Sequence, residues 1–262
     1  MKRRILILLL VSALLLVVAI PAAAIVWGQP DGDDHPHVGL VVFDVGGVPS
    51  HRCSGVLLSP TVFLTAGHCT FGMDAARVWF ESEIVDPFYP FSGGTAVEGT
   101  PFTHPDYDDF ATFPNTSDVG IVVLDEPVLG VPYAELADVG ALDSLATRRG
   151  LQDQLFTIVG YGLQSIVPDL MADLVRYQGN PMLVNLRSAL AGGFNIHLSG
   201  NPGNRSPGGA CFGDSGGPAF IGDSNVVAGV GSFVLNRNCV GAGFYYRVDT
   251  THAQDFILEF LQ

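Results

Sequence analysis

Three side chains carry residue types that could act together on a polar bond: Ser215, His68 and Asp118. Ser215 stands in Gly213-Asp-Ser-Gly-Gly-Pro218. Glycines on both sides let the backbone bend sharply and aim amide N–H groups at one point. A serine hydroxyl is a poor nucleophile until a base takes its proton and donors hold the developing oxyanion. The N–H groups of Gly213 and Ser215 are the expected oxyanion donors. His68 lies in Leu64-Thr-Ala-Gly-His-Cys69, where small residues bring an imidazole to a strand end. Asp118 lies in Ser117-Asp-Val-Gly-Ile-Val-Val-Leu124, a lone carboxylate at the mouth of an apolar strand. Burying it is costly without a partner. An Asp that accepts from an imidazole would supply that partner and orient the base. Each residue alone is more often structural than catalytic; the three together point to this chemistry.

The four cysteines, Cys53, Cys69, Cys211 and Cys239, allow three disulfide pairings. No close C-x₂-C pair favours a metal site instead.

In this order the three motifs resemble the chymotrypsin-like (trypsin superfamily) serine proteases, over about residues 25 to 262. The resemblance implies an all-β fold: two antiparallel six-stranded β-barrels with the active site between them. It implies a serine endopeptidase that cleaves polypeptides through an acyl-enzyme on Ser215, with His68 as base and Asp118 as its orienting acid. No cofactor and no metal are required for that chemistry. It also implies the pairings Cys53–Cys69 and Cys211–Cys239. In the family, the carboxylate before the nucleophile binds the new N-terminal ammonium of an Ile-Val-Gly-Gly start. Here that carboxylate is Asp214, and the matching stretch is Ile25-Val26-Trp27-Gly28. An activating ion pair between Ile25 and Asp214 is therefore expected, although Trp27 departs from the family's Gly.

The same comparison gives a substrate pocket of Gly209, Ala210, Ser232, Phe233, Val234 and Gly243. Gly209 stands six residues before the nucleophile, where trypsin-like specificity needs a carboxylate. Val234 replaces a Gly and narrows the entrance, as in elastases. The expected preference is a small or medium apolar residue before the scissile bond: Val, Ala, Ile or Leu. Substrate backbone should add as a strand along Ser232 to Val234. The loop from Val234 to Cys239 is longer than usual for the family.

Two other readings compete. Gly213-Asp-Ser-Gly-Gly217 also fits the G-x-S-x-G elbow of α/β-hydrolases. That fold needs a helix directly after the serine, which Pro218 opposes, and His252 is the only downstream His. The alternative that remains is a catalytically silent, protease-like binding protein. Such relatives usually lose a triad residue, and this chain keeps all three.

The elements that must hold these residues read as short strands. Val38 to Phe43, Ser54 to Leu58, Thr61 to Thr65, Arg77 to Phe80, Thr95 to Gly99 and Val119 to Leu124 are apolar runs ended by turn formers. Leu155 to Tyr161, Met182 to Leu186, Phe194 to Leu198, Ala219 to Ile221, Val226 to Val234 and Gly243 to Val248 repeat the style. A closing helix is expected over Ala253 to Leu261, capped by Thr250 or Thr251. The expected division is an N-terminal barrel over 25–140 and a C-terminal barrel with the helix over 141–262.

Residues 1–24 read as a secretory signal peptide: Lys2, Arg3 and Arg4, then an apolar Ile5 to Ile20, then Pro21-Ala-Ala-Ala24. The apolar run is short for a span of about 20 residues. Cleavage after Ala24 predicts a secreted, extracellular protein with no membrane attachment; a monomer is expected. The chain has 12 basic and 26 acidic residues. Its only Lys lies in the leader. That acidity disfavours nucleic acid and anionic membranes. Weaker signals read as surface features: His35-Pro-His37 as an exposed turn, Asp31-Gly-Asp-Asp34 and Asp106-Tyr-Asp-Asp109 as solvated loops, His252 on a helix surface. Asn115-Thr-Ser and Asn204-Arg-Ser match the glycosylation pattern.

Overall fold

A computed structural model describes residues 25–146, 154–164, 170–200 and 208–262. The leader and the Asn204 sequon lie outside these residues. Six strands close a barrel: β2 (Val38–Val45), β3 (Val48–Leu57), β4 (Val62–Thr65), β5 (Ala75–Trp79), β6 (Val97–Thr103) and β7 (Gly120–Leu124). Their order round the ring is β2-β3-β4-β7-β6-β5, antiparallel throughout. Inward residues such as Val41, Phe43, Leu57, Phe63, Val78 and Val122 fill it, together with Cys53 and Cys69.

The second half is a nine-stranded sheet, open among the described residues rather than a second closed ring of six. It contains β9 (Phe156–Gly160), β10 (Tyr177–Gly179), β11 (Leu183–Asn185), β12 (Asn195–Gly200), β13 (Pro218–Ile221), β14 (Val226–Val234) and β15 (Gly241–Arg247). Two short strands join from before residue 140. β1 (Gln29–Pro30) pairs with β10, and β8 (Glu135–Leu136) pairs parallel with β14. Both precede residue 140 and pair with strands that follow it. β1, β8 and β10 are two or three residues long, too short to show a period in sequence.

Two helices matter for the site. α1 (Gly67–Thr70) is a single turn after β4, and α2 (Thr251–Leu258) closes the chain. The Thr250 side chain accepts from Ala253 N at 3.3 Å, the expected cap. α2 ends before Phe260 and Leu261, which pack against the core from beyond the helix. Ala253, Phe256 and Ile257 join a shared core with Val38, Val56, Leu64 and Ile121 of the barrel and Val159, Phe220 and Tyr246 of the sheet. This apolar seam fixes the two halves against each other.

Buried Arg176 pins the same junction. Its guanidinium donates to Asp31 Oδ2 (2.8 Å), Gly32 O (2.7 Å), Val38 O (3.1 Å), Phe80 O (2.9 Å) and the Tyr161 hydroxyl (3.1 Å). A buried charge is tolerable only when paired and hydrogen-bonded in this way. Asp31 is not part of a solvated acidic loop; it is buried between Arg176 and His35. His35-Pro-His37 is not an exposed turn: His37 has no solvent exposure, and its ring lies 5.6 Å from that of Phe220.

Candidate active site

β4 and α1 carry His68 to the edge of the barrel, and the loop before β7 carries Asp118 beneath it. Close approach depends on Gly67, where a Cβ would meet Val119 N at 3.0 Å. Asp118 is fully buried and accepts from three groups. His68 N donates to Oδ1 at 2.7 Å, and His68 Nδ1 lies 2.9 Å from Oδ2. The third donor is Ser232 Oγ, 2.6 Å from Oδ2. Burial opposes a charge on His68, but the Asp118 charge and hydrogen bond outweigh it and raise the imidazole above its usual 6.5.

Ser215 sits on a tight turn set against both halves. Gly213 and Gly216 adopt φ of +98° and +75°, conformations that disfavour side chains. A Cβ at Gly216 would lie 2.0 Å from Thr65 Oγ1, so only glycine fits. Gly216 N donates to Gly231 O (2.7 Å), and Ser54 N donates to Ser215 O (2.8 Å). The Ser54 hydroxyl donates to Gly213 O at 2.9 Å. These bonds tie the turn to β14 and β3. Among the described hydrogen bonds, the N–H groups of Gly213 and Ser215 have no partner.

His68 and Ser215 line one cleft of about 360 Å³. No described hydrogen bond joins them; His68 Nε2 lies 3.6 Å from Cys69 Sγ. Such contacts are often long without substrate and tighten in the complex. Of the expected pocket residues, Ala210, Ser232, Phe233 and Val234 line the cleft. Gly209 and Gly243 do not: Gly209 pairs with Val26, and Gly243 backs onto Ala210. Phe110, Phe212 and Phe244 line it too, and the sequence reading missed all three. Phe212 follows Cys211 inside the quoted motif, and Phe244 follows Gly243, so adjacency was a usable signal. Phe110 lies just beyond the acidic run ending at Asp109 and gave no signal of its own. Phe233 and Phe244 stack at 4.5 Å, which makes an apolar wall.

Both expected disulfides are formed, Cys53–Cys69 beside His68 and Cys211–Cys239 at the cleft wall. Asp214 is turned away from solvent and accepts from Cys211 N (2.9 Å) and Gly162 N (2.8 Å). Burial pushes its carboxyl up to about 7; the two amides and nearby Arg52 pull the other way. Ile25 is buried in the core of the second sheet, and Gly209 N donates to Val26 O at 3.0 Å.

A buried carboxylate under an imidazole, and a serine on a glycine turn, meet between a closed barrel and a second sheet. That arrangement defines the class of chymotrypsin-fold serine proteases. The trypsin family profile matches residues 25–257, and the chain belongs to that family. Solved structures agree on the fold. That of HL collagenase aligns over 90% of this chain and 98% of its own, with a TM-score of 0.71 and 18% identity. Human heparin binding protein aligns over 90% and 96%, with a TM-score of 0.65 and 20% identity. A mutant of that protein gives a TM-score of 0.64, also at 20% identity. No curated protein sequence matches the chain.

Proposed function

We propose that this chain is a secreted serine endopeptidase that cleaves after small or medium apolar residues. The observation that carries the reading is the buried Asp118 carboxylate, 2.9 Å from Nδ1 of His68, which lines the same cleft as Ser215. His68 takes the Ser215 proton as the hydroxyl attacks the peptide carbonyl. The free N–H groups of Gly213 and Ser215 hold the oxyanion. His68 then protonates the leaving amine, and water releases the acyl group by the reverse roles. Ala210, Phe233 and Val234 offer the side chain before the scissile bond an apolar, uncharged lining.

Activation belongs to the same proposal. Cleavage after Ala24 would free the ammonium of Ile25, and Asp214 is a buried carboxylate with two amide donors and no described ion pair. The ammonium would convert Asp214 from a group that favours its proton into a paired anion. Ile25 in the core and Val26 against Gly209 support this placement. N-terminal sequencing of active secreted protein should begin at Ile25; another start rules this route out.

A serine-directed fluorophosphonate tests the enzyme reading. Labelling of the folded wild type, lost in Ser215→Ala, is the expected result. A folded wild type that stays unlabelled favours the silent binding protein instead.

A further inference from the structure

We infer that His104, Asp106 and His252 form a binding site for one divalent ion of the zinc type, outside the cleft that holds Ser215. Their ligand atoms already lie within 4.8 Å of one another. His252 Nε2 and Asp106 Oδ2 are 3.5 Å apart. Ligands about 2.0–2.1 Å from a tetrahedral zinc stand about 3.4 Å apart, so this edge is at coordination length. The other edges, at most 4.8 Å, must contract by no more than about 1.4 Å.

The site is anchored on one side and open on the other. His104 directly follows β6 and is buried, its ring 5.0 Å from that of Phe256. Its backbone N donates to Val119 O at 3.0 Å. Its Nε2–H faces the His252 carbonyl at 3.4 Å. That tautomer leaves the lone pair on Nδ1, toward Asp106, whose amide now donates to it at 3.1 Å. A ligating His commonly donates its other ring N–H to a carbonyl in this manner. The ion takes the place of the Asp106 amide at Nδ1 and of the Ser117 hydroxyl, 3.0 Å from His252 Nε2. His252 and Asp106 are 45% and 67% exposed, which gives the ion its entry path.

Two imidazoles and one carboxylate, with water as fourth ligand, suit zinc-type ions. Calcium and magnesium want oxygen ligands and do not fit. The other described cluster, Cys53, His68 and Cys69, holds no ion because its two sulfurs are bonded to each other. The ion would clamp α2 to the loop after β6, beside Ser117, the residue before Asp118. The inference does not depend on peptide hydrolysis.

The test is zinc titration by calorimetry of the full chain carrying Ser215→Ala, which cannot digest itself. The expected result is one ion per chain and a raised melting temperature. His252→Ala and Asp106→Asn, both at exposed positions, should each weaken binding by at least about a hundredfold. That is the upper end of what losing a ligand's hydrogen-bond partner costs. His68→Ala should retain full affinity, which separates this site from capture in the cleft. Absence of one-to-one binding, undiminished binding in either variant, or loss on His68→Ala overturns the inference.

Discussion

His37 makes the chain acid-sensitive, and His37→Leu should remove that sensitivity. The ring is fully buried, and neither nitrogen has a hydrogen-bond partner. Its charged and titratable neighbours are His35, Arg176 and Asp31. Burial, then the His35 and Arg176 charges, push its pKa from 6.5 to about 4, against a smaller pull from Asp31. The folded pKa is therefore below the unfolded one. Between pH 6.5 and 4 the unfolded chain binds more protons, so stability falls as pH falls through this window. At 1.36 kcal/mol per pH unit, the loss is about 3 kcal/mol. Asp214 works in the opposite sense where it is unpaired. Its folded pKa of about 7 lies above the usual 3.8, so protonation stabilises the fold as pH drops through that range. Only the difference between wild type and variant isolates His37. Urea unfolding at pH 7, 5.5 and 4, with Ser215→Ala in both proteins, measures it. The variant should match or exceed wild type at pH 7, since no hydrogen bond is lost. Its advantage should grow by about 3 kcal/mol at pH 4. Parallel pH dependences for the two proteins would refute the reasoning.

Three further outcomes are expected. Ser232→Ala removes one of the donors to Asp118, and hydrogen bonds to charged groups are worth about 1.5–3 kcal/mol, so kcat/KM on a peptide anilide should fall roughly 10- to 100-fold. His68 must be neutral to act as base, and its pKa is raised, so the acid limb of the kcat/KM profile should have its midpoint above pH 6.5. Val234→Gly opens the cleft wall, so the kcat/KM ratio for Phe over Val before the scissile bond should rise by at least about tenfold in paired substrates.

The site was more legible than its surroundings. His68, Asp118 and Ser215 sit in short, contiguous motifs whose glycines are forced by contacts at Gly67 and Gly216. The long strands, β2 and β14 above all, were plain because their apolar runs exceed five residues. What escaped depends on partners far along the chain. Ser232 was read as pocket wall, yet its hydroxyl also serves Asp118, 114 residues away. His37 looked like a turn residue because nothing local reveals Phe220 covering it. The burial of Asp31 likewise depends on Arg176, 145 positions later. Strands as short as β1 and β10 have no pattern of their own and depend on the strand beside them.

The two halves of the fold share their segments. Residues 29–30 pair into the second sheet, while α2, the last helix, packs on that sheet and on the barrel built by residues 38–124. During synthesis the first barrel therefore emerges without its final cover. Its apolar face at Val38, Leu64 and Ile121 waits until residue 257 has left the ribosome. Neither half can cover its apolar face alone, and a cut near residue 140 would give two fragments that each hold a piece of the other. Such fragments should associate when mixed rather than fold separately, as two hands close only on each other.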